Sequence, residues 1–168
     1  MGTDLTTRIE ALDDKQAIYV VQRLSEALFK KVQAPAVVQM ASAIDQAGSV
    51  AGMDLELARQ SELSKAILPP DQGGAVARAL LVAWAEQPEL APAVEYGIEQ
   101  FKTAKQDFGI LSVPVALGLT YALIAMDLNV DLGFVKIKKA GITGADQAQI
   151  VKKTLAPVLK GIRAATGT

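Results

Sequence analysis

From Asp13 onward the apolar positions fall at Ile18, Val21, Leu24, Leu28 and Val32, stepping by three or four residues. That spacing predicts an amphipathic helix. Asp13 or Asp14 stands at its start, where a carboxylate caps free N–H groups and complements the helix dipole. Pro35 ends this helix or opens the next, because it lacks an N–H and restricts Ala34. Residues 35–47 continue the pattern with Val37, Met40, Ala41 and Ile44 inward, and Gly48 and Gly52 are expected to bracket a loop. Asp54 is placed to cap a helix through Leu68, which Pro69-Pro70 stops. Gly73-Gly74 reads as a hinge ahead of a helix over residues 75–86 that carries Val76, Leu80, Val82 and Trp84. Pro88 breaks the pattern. Residues 89–106 resume it with Pro92 in the first turn and Val94, Ile98 and Phe101 inward.

Residues 108–126 carry no charge over 19 positions. Ser112, Pro114, Gly118 and Thr120 interrupt the run, and Pro114 is placed to open a helix of about a dozen residues. A bilayer span needs about 20 apolar residues. A central helix buried on all sides is therefore the favoured reading. The competing reading is a membrane-inserting segment, with Gly118 and Ala122 as a small-residue contact pair.

Beyond it the period changes to two, at Val130-Asp131-Leu132 and again at Val135-Lys136-Ile137-Lys138. This predicts a short strand or hairpin with Gly133 as turn or bulge. Thr143, with Asp146 in the capping-box position, restarts a helix that runs to about Ala164. The fold expected is all-α, a compact bundle of about seven or eight helices with one short β-strand or hairpin before the C-terminal helix. It forms a single helical domain over residues 1–168, with a basic strand-plus-helix element at 130–165. Its core should include Ile18, Val21, Leu24, Leu28, Leu80, Trp84, Ile98, Leu117, Leu123, Val151, Leu155 and Ile162.

Composition narrows the chemistry. With 51% hydrophobic and 21% charged residues the chain has the make-up of a folded protein. It contains no Cys and no His. Thiolate and imidazole nucleophiles, bases and metal ligands are thereby excluded. The paired acids Glu95 and Glu99 lack the His that a bundle di-metal site would add. Asp127-Leu128-Asn129-Val130-Asp131 opens like a calcium loop, but Leu132 occupies the glycine position and no later Glu follows in register. Ser61, Ser64 and Lys65 lie close in sequence, with nothing to depress the lysine pKa. No catalytic, cofactor-binding or metal site is assigned.

Charge is distributed unevenly. Residues 1–132 hold 10 Lys/Arg and 17 Asp/Glu, whereas residues 133–168 hold 7 Lys/Arg and a single acid, Asp146. The basic set is Lys136, Lys138, Lys139, Lys152, Lys153, Lys160 and Arg163. On a helical wheel the last four lie opposite Ala148, Val151, Leu155, Val158, Leu159 and Ile162. A solvated outer face is the ordinary meaning of such charges. An acidic protein surface is the leading functional one, since only Phe134 interleaves the bases and single-stranded nucleic acid favours several aromatics.

The expected function is a non-enzymatic protein–protein interaction module: an adaptor, inhibitor or regulatory subunit. Its partner is another protein, or another copy of itself, met through acidic body and basic end. The alternative is a membrane-active effector that inserts residues 110–128. No apolar run follows a basic region at the N-terminus, so a secretory signal is not expected. A cytoplasmic, prokaryotic protein is expected.

Overall fold

The computed structural model describes residues 2–33, 35–50, 67–101, 110–142 and 146–154. These form α1 (Gly2–Glu10), α2 (Asp14–Lys31), α3 (Val37–Val50), β1 (Ile67–Leu68), α4 (Pro70–Ala85), α5 (Ala91–Phe101), β2 (Leu111–Ser112), α6 (Val113–Ala125), β3 (Leu128–Asp131) and β4 (Lys136–Lys139). Residues 146–154 form a further helix, α7. The all-α expectation holds, with two antiparallel strand pairs among the described residues instead of one.

Helix α2 is the hub, packing on α4, α5 and α6, while α1 lies on α4 and α3 on α6. Its start is a reciprocal cap. Asp13 Oδ1 accepts the Gln16 N–H at 2.8 Å, and Gln16 Oε1 accepts the Asp13 N–H at 2.9 Å. Lys30 and Lys31 close its last turn, where cations suit the dipole.

The α2–α4 contact is close because Gly73 and Gly74 carry no side chain. A Cβ on Gly73 would sit 3.2 Å from Ile18 Cδ1 and 3.3 Å from Leu111 Cβ, and one on Gly74 would collide with the Asp14 side chain. Both glycines are buried inside α4. The hinge expected there is thus replaced by a packed first turn that begins at Pro70, a residue suited to that position. Arg78 fastens the same contact: Nη1 lies 3.0 Å from Asp14 Oδ1 and donates to the Leu12 carbonyl at 3.2 Å.

Other boundaries also moved. Gly48 lies within α3, which runs to Val50, so no loop begins there. Packing of the helix outweighs the modest propensity cost of one glycine. Helix α1 is an element the pattern reading did not anticipate. Leu5, Ile9 and Leu12 are buried, and their spacing of four and three was a helical signal in the sequence. The proposed helix from Asp54 falls mostly on residues 51–66, outside the described residues. Its last two positions, Ile67 and Leu68, form β1 instead. They pair with Ser112 and Leu111 of β2.

Helix α6 is the buried central helix that its uncharged sequence predicted. Val113, Ala116–Thr120 and Ala122–Ile124 are buried, leaving no polar side. Thr120 Oγ1 satisfies its hydroxyl on the Ala116 carbonyl at 2.9 Å, and Trp84 Nε1 donates to the Leu119 carbonyl at 3.2 Å. Among the described residues no helix is long and apolar enough to cross a membrane.

Among the described residues most buried apolar side chains join in one cluster that runs from Leu5 to Val151. Ten of the twelve expected core residues, Ile18 to Val151, are in it; Leu155 and Ile162 lie outside the described residues. Each large aliphatic side chain so removed from water contributes about 1.5–3 kcal/mol before entropy is counted.

Candidate interaction surface

The hairpin divides the first three predicted cations. β3 and β4 pair antiparallel with Leu128 opposite Lys139, Asn129 opposite Lys138, Val130 opposite Ile137 and Asp131 opposite Lys136. Side chains alternate across a strand. The outer face therefore shows Asn129, Asp131, Lys136 and Lys138, all exposed, and the inner face holds Leu128, Val130, Ile137 and Lys139. Lys136 meets an opposite charge in Asp131 across the ladder, a pairing that favours this register.

Lys139 is a correction to the expected basic surface. It is 8% exposed. Its Nζ donates to the Met126 carbonyl at 2.6 Å and to the Ala140 carbonyl at 3.1 Å. The Met126 carbonyl follows the end of α6, where helix carbonyls lack partners. Burial lowers the amine's pKa from its ordinary value, against the opposing pull of Asp127 and Glu89. Strand parity carried this outcome in the sequence: Lys139 shares the side of Ile137, not that of Lys138.

Two more cations stand on α7. Lys152 and Lys153 are exposed. Lys153 Nζ approaches Glu86 Oε2 at 3.7 Å, tying α7 to the end of α4. Lys160 and Arg163 lie outside the described residues. The seven predicted cations are therefore not one open patch among the described residues: Lys139 is internal, and Lys153 has a carboxylate beside it.

A different cationic site forms at the other end of the hairpin. Gly133 takes the turn with φ +95°, a conformation that favours glycine. Asp131 Oδ1 accepts the Gly133 N–H at 2.8 Å, and Leu132 N donates to the Val135 carbonyl at 2.9 Å. The turn so held presents Phe134, which stacks on Tyr96 of α5 with ring centroids 4.0 Å apart and planes inclined by 5°. Gly97 lets α5 lie close to α2, since a Cβ there would come within 2.9 Å of Val20 Cγ1.

Between this aromatic pair and the C-terminal half of α2 lies a groove of about 240 Å³. Among the described residues, Arg23, Lys30 and Lys31 supply its charge, with Glu26 the one carboxylate, and Leu24, Leu132 and the rings supply apolar wall. Arg23 Nη1 is 3.4 Å from Glu26 Oε2, with both side chains about half exposed. Such a pair contributes little to stability and leaves its charges open to a ligand. The sequence reading missed Arg23, Lys30, Lys31 and Tyr96. They sit in the acidic body, and three separate segments must meet before the groove exists. The adjacent pair Lys30-Lys31 at a helix end was the available signal, but helix ends carry lysines for the dipole alone.

The paired acids have structural partners. Arg8 of α1 meets both Glu95 and Glu99 of α5, at 3.6 and 2.6 Å. Asp127 Oδ1 accepts the Gly141 N–H at 2.6 Å. Among the described residues no three metal-ligating side chains cluster. Ser61, Ser64 and Lys65 are outside the described residues. In comparisons with known proteins, no family model, curated protein or solved structure matches this chain.

Proposed function

We propose that this chain is a non-enzymatic protein-interaction module, of the adaptor, inhibitor or regulatory-subunit kind, that receives an acidic segment of a partner protein in the α2–α5–hairpin groove. One observation carries the reading: among the described residues, three cations and one carboxylate line a groove walled by the stacked Tyr96 and Phe134. Cations select for acidic residues and speed encounter. The aromatic wall supplies desolvated contact area, the usual source of interface energy. Lys136, two residues beyond Phe134 in the same hairpin and exposed, adds positive charge to this end of the molecule. A cytoplasmic, prokaryotic setting belongs to this reading on composition alone.

The partner segment could come from a second copy, because the chain carries exposed acids such as Asp4, Glu10 and Asp13. The basic C-terminal route to self-association draws less support, since Lys139 is internal and Lys153 is paired. The membrane-effector reading draws none: α6 is the middle of the core, and inserting it would expose that core to water.

The test is selection of binders from a displayed random peptide library on the full chain, followed by titration of synthetic peptides. Acid-rich sequences are expected. Lys30→Glu with Lys31→Glu should weaken them by at least about tenfold, and rising salt should weaken them further. Enrichment of neutral or basic sequences, or indifference to the double reversal, would sink the proposal.

A further inference from the structure

A second hollow opens on the adjoining flank of the same helix. It measures about 420 Å³ and is lined by Gln22, Ser25, Glu26, Phe29 and Lys30 of α2 and Val115 of α6. Glu26 and Lys30 line both hollows. They stand four residues apart and form a ridge along α2 with a cavity on each flank. Phe29 and Val115 give the second hollow apolar wall, as Tyr96 and Phe134 do for the first. Phe29 is braced from beneath: a Cβ on Gly118 would lie 3.2 Å from its ring, so α6 backs it closely.

We infer that the partner segment crosses α2 over the Glu26–Lys30 ridge and sets one apolar side chain in each hollow. This rests on the groove reading above and names the chemistry of the segment. A helix with its side chains is about 10 Å across, and an extended chain advances about 3.3 Å per residue. Side chains alternate along an extended chain, so the two anchors, which face the same surface, stand about two or four residues apart. The residues between them include Asp or Glu, held by Lys30 and Lys31. The carboxylate of Glu26 disfavours an acid at the point where the chain passes over it, so the acid stands over Lys30. The occupant is thus an acidic, extended peptide with two apolar anchors.

Peptides selected on the full chain, synthesised and titrated by fluorescence polarisation, test this. Alanine at the distal anchor should weaken binding by about tenfold, and Val115→Asp should abolish the difference between parent and alanine peptides. A photo-crosslinker at the distal anchor should label residues around Val115, a readout that holds even if Val115→Asp fails to fold. Acid-rich peptides with a single anchor, sensitive to Lys30→Glu/Lys31→Glu but not to Val115→Asp, would overturn the crossing and leave the groove reading intact. The same follows if the crosslink maps away from α6. Absence of acid-rich binders would overturn both.

Discussion

Lys139 donates from Nζ to the Met126 carbonyl at 2.6 Å, so a side chain from the last strand closes the end of the central helix. Its neighbour Lys138 is exposed on the opposite face of β4. One strand thus carries a structural lysine and a surface lysine side by side. Lys139→Ala strands two carbonyls and should lower stability by about 1–3 kcal/mol. Lys138→Ala should stay within about 0.5 kcal/mol. Urea unfolding followed by the fluorescence of Trp84, the sole tryptophan, measures both. Equal effects would show that strand parity does not separate them.

Lys139 also predicts a pH dependence. Burial lowers its pKa from 10.5, with Asp127 and Glu89 opposing. In the unfolded chain the amine keeps its proton to near 10.5; in the folded protein it gives it up earlier. Between those two values the unfolded state binds more protons, so rising pH favours folding at this residue. The stability of the parent protein relative to Lys139→Met should be flat at near-neutral pH and should rise as pH climbs toward 10.5. A relative stability that falls in that window contradicts the assignment.

Gly74 and Asp14 share a space that a methyl group would fill. Gly74→Ala must push Asp14 aside and with it the Arg78 ion pair at the α2–α4 contact. The expected loss is about 1–3 kcal/mol, the usual range for an overpacked contact. Adding Asp14→Ala to the same chain should recover part of that loss, because the shorter side chain makes room. Thermal melts of the two single variants and the double variant decide it; strict additivity would rule the collision out.

Phe134 lies flat on Tyr96 at the tip of the hairpin. Phe134→Ala should cost about 0.5–1.5 kcal/mol in lost ring contact, plus the apolar area it exposes. It should remove most affinity for selected acidic peptides, while Phe134→Tyr should keep it. If both variants bind alike, the stacked pair is only packing, and the groove has no aromatic wall of consequence.

How far these features were legible in the sequence differs by kind. Periodicity placed α2, most of α4 and α5 and the β3–β4 hairpin, because side chains repeat at 3.6 and 2 residues whatever they later meet, and the lack of charge over residues 108–126 placed the buried α6. The absence of Cys and His removed whole classes of chemistry before any coordinates were needed. Boundaries were weaker. Gly48 and Gly73-Gly74 read as breaks because isolated glycine disfavours helix, yet packing against neighbouring helices kept them in α3 and α4.

What only the tertiary structure decided is which charges are available. In the chain, Lys136, Lys138, Lys139, Lys152 and Lys153 look like one basic run, while Lys30 and Lys31 look like a solvated helix end. Folding turned Lys139 inward, set Lys153 beside Glu86, and brought Phe134 from a distant turn onto Tyr96 next to the α2 lysines. The physical reason is that a charge's role depends on its solvent exposure and its neighbours, and those neighbours are long-range contacts. A local pattern specifies the face a residue occupies; it cannot specify what lies against that face.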